Sequence, residues 1–298
     1  MSLFDVVGIG TNSVDHVLVV PGSIANIATA GKARISERHV FCGGQTATLV
    51  CATATLGLAS GYVGAFGSDQ NAALIRGALK DHGVDITHTE VREGPNREAI
   101  IMVDERGART VLWHRSESLT IDPAQIRRAI QKARVVHVDD DDPGAALLAL
   151  QAAREASLPT TSDIEHATEL TERLISSVAY PILEQGLGSQ LTGEGDPERA
   201  LRKLRSLNSG LVCMTLGESG AAALDGDTFH LAPAFKVNAV DSTGAGDIFR
   251  AGFIYGLLQG WKVPQMLQFA NAAAALSCTK QGAIRSVPSL QAVFDLLK

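Results

Sequence analysis

From Asp122 onward the chain repeats one pattern, a stretch of helical length followed by a short β-branched or apolar run. The spacing predicts helix 123–133 then strand 135–138, helix 145–156 then strand 160–163, helix 169–176 then strand 178–183, and helix 197–207 then strand 211–215. Two strands can pair in parallel only if a crossover carries the chain back, and a helix is the usual crossover. Such alternation dictates a mostly parallel sheet covered by helices on both faces.

The upstream part is less regular. Asp5-Val6-Val7-Gly8-Ile9-Gly10 reads as a buried first strand, 45–56 as a helix stopped at Gly57, 60–66 as a strand, and 70–82 as an amphipathic helix stopped at Gly83. The runs 17–20 and 36–41 read as short β segments. The runs 100–103 and 110–113 flank Asp104-Glu105-Arg106-Gly107, a hairpin-like connection. That hairpin interrupts the alternation and is assigned to an appended sheet. A second hairpin around Asp225-Gly226-Asp227, an extended 235–240 and helices 245–258 and 264–277 complete the chain. The expectation is a single α/β domain over residues 1–298, with a small β lid formed by segments 16–41 and 96–115.

Apolar residues make up 45% of the 298, enough for a sizeable core. A net charge of -6 with no concentrated basic face argues against a nucleic-acid partner. The four cysteines are scattered without ligand spacing and read as reduced, packed thiols. No charged segment precedes an apolar start, and Gly, Thr and Asn interrupt the long apolar stretches. A cytoplasmic enzyme without a membrane partner is expected.

The chemistry concentrates at Asp241-Ser242-Thr243-Gly244-Ala245-Gly246-Asp247, where an extended run, a turn of small residues and a helix start follow in order. Small side chains let an anion approach backbone amides, and the positive end of the helix dipole favours it there. A carboxylate at Asp247 repels phosphate, so its use would be as a base accepting a proton from an attacking hydroxyl. The alternative is an ordinary first-turn aspartate.

The segment from Asp241 to Phe253 resembles the C-terminal signature of the ribokinase (PfkB) family of carbohydrate kinases, and five further segments follow in that family's order. They are Gly10 to Asp15, Gly43-Gly44-Gln45-Thr46-Ala47-Thr48, Val63 to Asp69, Thr215 to Gly220, and Phe269-Ala270-Asn271 with Gly282-Ala283 after it. The resemblance implies a three-layer α/β/α ribokinase-like domain with a β-sheet lid, ATP and Mg²⁺ as cofactors, and K⁺ in many members. It assigns Asp247 as catalytic base, with Gly244, Ala245 and Gly246 as anion hole. Thr215, Gly217, Asn271 and Gly282 go to the nucleotide side; Asp15, Gly43, Gly44 and Thr48 go to the sugar side. Asp241 and Thr243 are the candidates beside a monovalent cation. A homodimer through the lid is also implied.

Two positions depart from that pattern. Thr48 stands where Asn is usual, offering one short hydroxyl in place of two amide arms. Leu187 stands where the family's Asn-x-x-Glu carries its glutamate. On the lid, Arg97, Trp113 and Arg115 are placed to touch substrate, and two arginines favour an acidic sugar. Asp139 to Asp142 reads as a solvated helix-capping run, with one aspartate reaching a sugar hydroxyl as the alternative; Arg250 reads as a helix-surface arginine. Within the fold a nucleoside or vitamin-precursor acceptor is the rival; from another class, a silent sugar- or nucleotide-binding sensor. A dinucleotide-dependent enzyme is disfavoured, because no third glycine follows Gly8-Ile9-Gly10 at the required spacing.

Overall fold

The computed structural model describes residues 4–27 and 31–298; residues 28–30 of the expected lid segment lie outside the described residues. Strand β1 (Phe4–Ile9) runs into β2 (Ser13–Val20), β3 (Glu37–Gly43) and helix α1 (Gln45–Thr55). Next come β4 (Ser60–Val63), β5 (Ala65–Phe66), α2 (Gln70–Asp81), β6 (Glu90–Val91), β7 (Glu98–Asp104) and β8 (Arg109–His114). The alternating part holds α3 (Pro123–Ile130), β9 (Ala133–Asp139), α4 (Pro143–Glu155), β10 (Thr160–Asp163), α5 (Thr171–Ser177) and β11 (Ile182–Glu184). It continues with α6 (Gln185–Thr192), α7 (Pro197–Leu204), β12 (Val212–Thr215), β13 (Ala221–Asp225) and β14 (Thr228–Ala232). Helices α8 (Ala245–Leu258), α9 (Val263–Ser277) and α10 (Leu290–Leu296) follow.

Strands β4, β1, β9 and β10 pair in parallel in that order. Bridges Thr161–Tyr180 and Ile164–Leu183 carry the sheet across to β11 and β12, beyond which β13 and β14 are antiparallel. Both faces are buried. Val7, Val136 and Val138 pack with α3, α4 and α7, whereas Val6 and Val135 pack with α1, α8 and α9. This two-sided burial is why the central strands read as continuous apolar runs.

The second sheet has the order β3-β2-β7-β8, with β2 and β7 parallel and both outer pairs antiparallel. It begins at Ser13, paired with Gly43, so it springs directly from the loop after β1.

Several boundaries differ from expectation. Helix 123–133 stops at Ile130, because Ala133 pairs with Phe4 and belongs to β9. Of strand 178–183 only Ile182 and Leu183 are in β11; Val178 caps α5. The stretch 235–240 forms no strand, so the sheet does not feed the Asp241 turn; instead the Val240 and Asp241 N–H groups donate to Cys278 O. Helix α6 has no clear signal, since Gly186 and Gly188 weaken helix propensity. Gly188 is a packing requirement there: a Cβ would lie 2.4 Å from Met214 Cε.

Candidate active site

The turn before α8 is braced by one carboxylate. Asp241 Oδ1 accepts from Thr243 N and Thr243 Oγ1, and its Oδ2 accepts from Gly282 N. Burial works against the charge on Asp241, but these hydrogen bonds and Arg109 outweigh it and hold the carboxyl below its usual range. Gly44 and Gly244 cap α1 and α8 with positive φ, at 96° and 79°. A Cβ on Gly244 would meet Ala283 Cβ at 2.7 Å and Ala283 Cα at 2.9 Å, so the turn closes only around glycine there. Gly244→Ala should therefore cost about 2–4 kcal/mol and remove most turnover, read by denaturant melts and an ADP-release assay. Ala245 N donates to Ser242 O at 3.2 Å, which leaves the first-turn N–H groups of Gly246 and Asp247 without an intrahelical acceptor.

Asp247 occupies that first turn and is 8% exposed. Burial, followed by the carboxylates of Asp163 and Glu165, pushes its carboxyl well up, while Arg250 pulls it back. Arg250 corrects the surface reading: it is 1% exposed and ion-paired at 2.5 Å with Asp163, at the end of β10.

A cavity of about 790 Å³ lies between the two sheets, bounded below by Gly44, Gly244, Gly246 and Asp247. Asp15 joins them from β2, its Oδ1 accepting from Ser13 Oγ, its carboxyl raised by burial against the pull of Ser13 and Arg97. Gly43 lies behind Asp15, where a Cβ would sit 3.0 Å from Asp15 Oδ2. The roof is the inner face of the lid sheet, with Ala99, Ile101, Arg109, Val111 and Trp113.

Arg97 also lines the cavity, with Nε 3.4 Å from Asp141 Oδ1 and the guanidinium 5.5 Å from the Trp113 ring centroid. Arg115 does not line it. Its guanidinium donates to Asp141 O, Leu119 O and Asp142, tying the lid to the loop after β9. Thr48 is also absent from the lining: it is fully buried, its methyl beside Gly244 and its hydroxyl without a partner among the described residues.

On the nucleotide side, Thr215 ends β12 and Gly217 lies in the open, with no neighbour close to where a Cβ would be. Asn271 donates to Ala232 O and Pro233 O, and Gly282 donates to Asp241; neither lines the cavity. Leu187 is buried in the core and faces no ligand site.

The Asp139 to Asp142 run is not a solvated loop. Asp139 is 2% exposed and accepts from Thr11 N at 2.6 Å and Thr46 Oγ1 at 2.7 Å, joining the ends of β1, α1 and β9. Burial, then the nearby Asp141, raises it to about 6. Asp140 accepts from the N–H groups of Glu165 and His166, and only Asp142 caps a helix. Arg109, Glu165 and His166 line the cavity without a motif to announce them. The last two follow the carboxyl end of β10, where open α/β sheets gather ligands, and that position was the available signal.

Among the described residues no group of three or more His, Cys, Asp or Glu side chains could hold a metal ion. The protein therefore offers no cage, and a Mg²⁺ here would take its donors mainly from phosphate oxygens and water. No helix among the described residues is long and apolar enough to cross a membrane.

A two-sided α/β sheet, a smaller sheet roofing a polar cavity and a helix start beside a buried carboxylate define the class of ATP-dependent carbohydrate kinases. Residues 4–290 match the family model for pfkB family carbohydrate kinases. The chain is 30% identical over 272 residues to the ATP-dependent ribose-1-phosphate kinase of Halopiger xanaduensis, covering 90% of each sequence. It shares its fold with Arabidopsis thaliana ribokinase complexed with ribose and ATP (TM-score 0.87, 24% identity, 100% and 99% of the two chains covered). An E. coli protein assigned as ribokinase II, in complex with ATP and Mg²⁺, gives a TM-score of 0.85 at 18% identity over 99% of each chain. The chain belongs to the pfkB carbohydrate kinase family.

Proposed function

We propose that this chain transfers the γ-phosphoryl group of ATP to a hydroxyl of a neutral sugar held between Asp15 and Asp247. The observation that carries this reading is Asp247 on the cavity floor, in the first turn of α8, beside backbone N–H groups that no helical carbonyl uses. In the reaction Asp247 accepts the proton of the acceptor hydroxyl while that oxygen bonds the γ-phosphorus. The bond between the γ-phosphorus and the bridging oxygen breaks, and ADP leaves with its electron pair. The N–H groups of Gly246 and Asp247 face the charge that develops on the phosphoryl oxygens. ATP brings Mg²⁺ with it, and the metal offsets phosphate charge when bound.

The neutral acceptor follows from the charges. Asp15, Asp140, Asp141, Glu165 and Asp247 line the cavity, against the cations of Arg97 and Arg109 and the imidazole of His166. Arg97 is engaged with Asp141 and Arg115 is outside the lining, so the two arginines expected to favour an acidic sugar are already committed. Trp113 offers a ring face to the C–H side of a sugar.

An ADP-release screen of neutral sugars, sugar acids, sugar phosphates and nucleosides tests this. The highest kcat/KM is expected on a neutral sugar. A best acceptor carrying a carboxylate or phosphate would overturn the neutral reading, and binding without turnover on every acceptor would favour a sensor.

A further inference from the structure

Beneath the floor of the cavity lies a buried ion pair that touches neither the sugar side nor the nucleotide side. Arg250 lies one turn beyond Asp247 on α8, at the far end of a 2.5 Å contact to Asp163 Oδ1, and its Nη2 is 3.4 Å from Ile182 O. Both partners are 1% exposed at the side chain. The guanidinium also lies against the anion cradle, since a Cβ on Gly246 would sit 2.8 Å from Arg250 Nη1.

Stability alone gives little reason for such a pair. Desolvating two ions consumes most of what their attraction returns, and apolar residues of similar volume usually serve a core equally well. Arg250 also sits among neutral neighbours: His137 on β9 is held uncharged by burial, and burial pushes the Cys213 thiol on β12 up to about 12.

The chemistry above the pair gives it a reason. Asp163 and Glu165 at the exit of β10 face Asp247, and Asp140 at the exit of β9 faces Asp163. Across the cavity the lid supplies Arg97 and Arg109, and Arg250 alone supplies a cation from below. Two adjacent buried carboxyls hold a proton between them unless a positive charge offsets one of them. A base that shares its proton with a neighbour cannot accept one from a hydroxyl.

We infer that Arg250 is a positioning residue for phosphoryl transfer: by pairing with Asp163 it keeps that carboxylate from sharing a proton with Asp247, which then meets the acceptor hydroxyl as a free base. This rests on the reading of Asp247 as the base.

The test compares pH profiles of kcat for wild type, Arg250→Met, Arg250→Lys and the double variant Arg250→Met/Asp163→Asn, on the best acceptor from the screen. Arg250→Met should move the acid limb up by about one pH unit or more, lowering turnover near neutrality roughly tenfold and recovering part of it at higher pH. KM for ATP and acceptor should change by less than about threefold. Arg250→Lys should keep most of the wild-type profile. The double variant, which removes both buried charges and is the more tolerant of folding, should return the acid limb to the wild-type position. If Arg250→Met lowers kcat equally at every pH, or if the folded double variant keeps a displaced limb, the inference is wrong. If only the double variant folds, the position of its limb decides. Failure of the base reading looks different: Asp247→Asn would then retain turnover.

Discussion

Asp247→Asn should lower kcat by roughly 10²–10⁴-fold while raising the unfolding temperature. The two effects share one cause. The carboxylate is buried, and Asp163 and Glu165 repel its charge, so the fold is strained by the group that the reaction needs. Asparagine keeps the shape, removes the charge and cannot accept the hydroxyl proton. Affinity for ATP should change little, because Asp247 is not a ligand for phosphate. Calorimetry together with ADP release on the best acceptor checks both halves. Turnover within a few-fold of wild type would remove Asp247 from the mechanism.

Asp139→Ala should be the most damaging change away from the reacting atoms. It strands the Thr11 N–H and the Thr46 hydroxyl in a buried site, each costing about 1–3 kcal/mol, for a total of about 3–5 kcal/mol. The loss should also loosen the Gly10 loop and the start of α1, raising KM for the acceptor more than it lowers kcat. The effect depends on pH with a definite sign. The folded protein raises Asp139 to about 6, above the ordinary aspartate value, so it binds that proton more tightly than the unfolded chain does. The stabilisation is fully present below the unfolded value and is lost as pH rises through about 6. Asp139→Ala should therefore destabilise more at pH 4–5 than at pH 7. Chemical melts at the two pH values check this, and an equal loss at both would show that Asp139 titrates as an exposed aspartate.

The parts of this protein legible in its sequence share one property: they depend on near neighbours along the chain. Strand β10 and helix α8 appear at their expected bounds because periodicity, flanking glycines and β-branched runs act over a few residues. The helix start at Gly244 to Asp247 was readable for the same reason, since small residues followed by an acidic first turn have few other uses. Helix α6 was not readable, because its Gly188 answers to Met214 on another element. The 235–240 stretch looked like a strand, yet its place in the chain is set by pairing with Cys278.

What the sequence determined by itself is the layered α/β architecture, the family, and the turn from Asp241 to Asp247 as a place where an anion meets a helix. Tertiary structure alone decided how the charges around that turn are partnered. Arg250, Arg115 and Asp139 look like a surface arginine, a substrate contact and a solvated loop residue when read in order. Folding brings them against Asp163, Asp141 and Thr11 instead. The physical reason is range: backbone preference is settled within a turn or two of chain, whereas the cost of a buried charge depends on which other charge lies within a few ångströms, and that neighbour arrives from a distant part of the sequence.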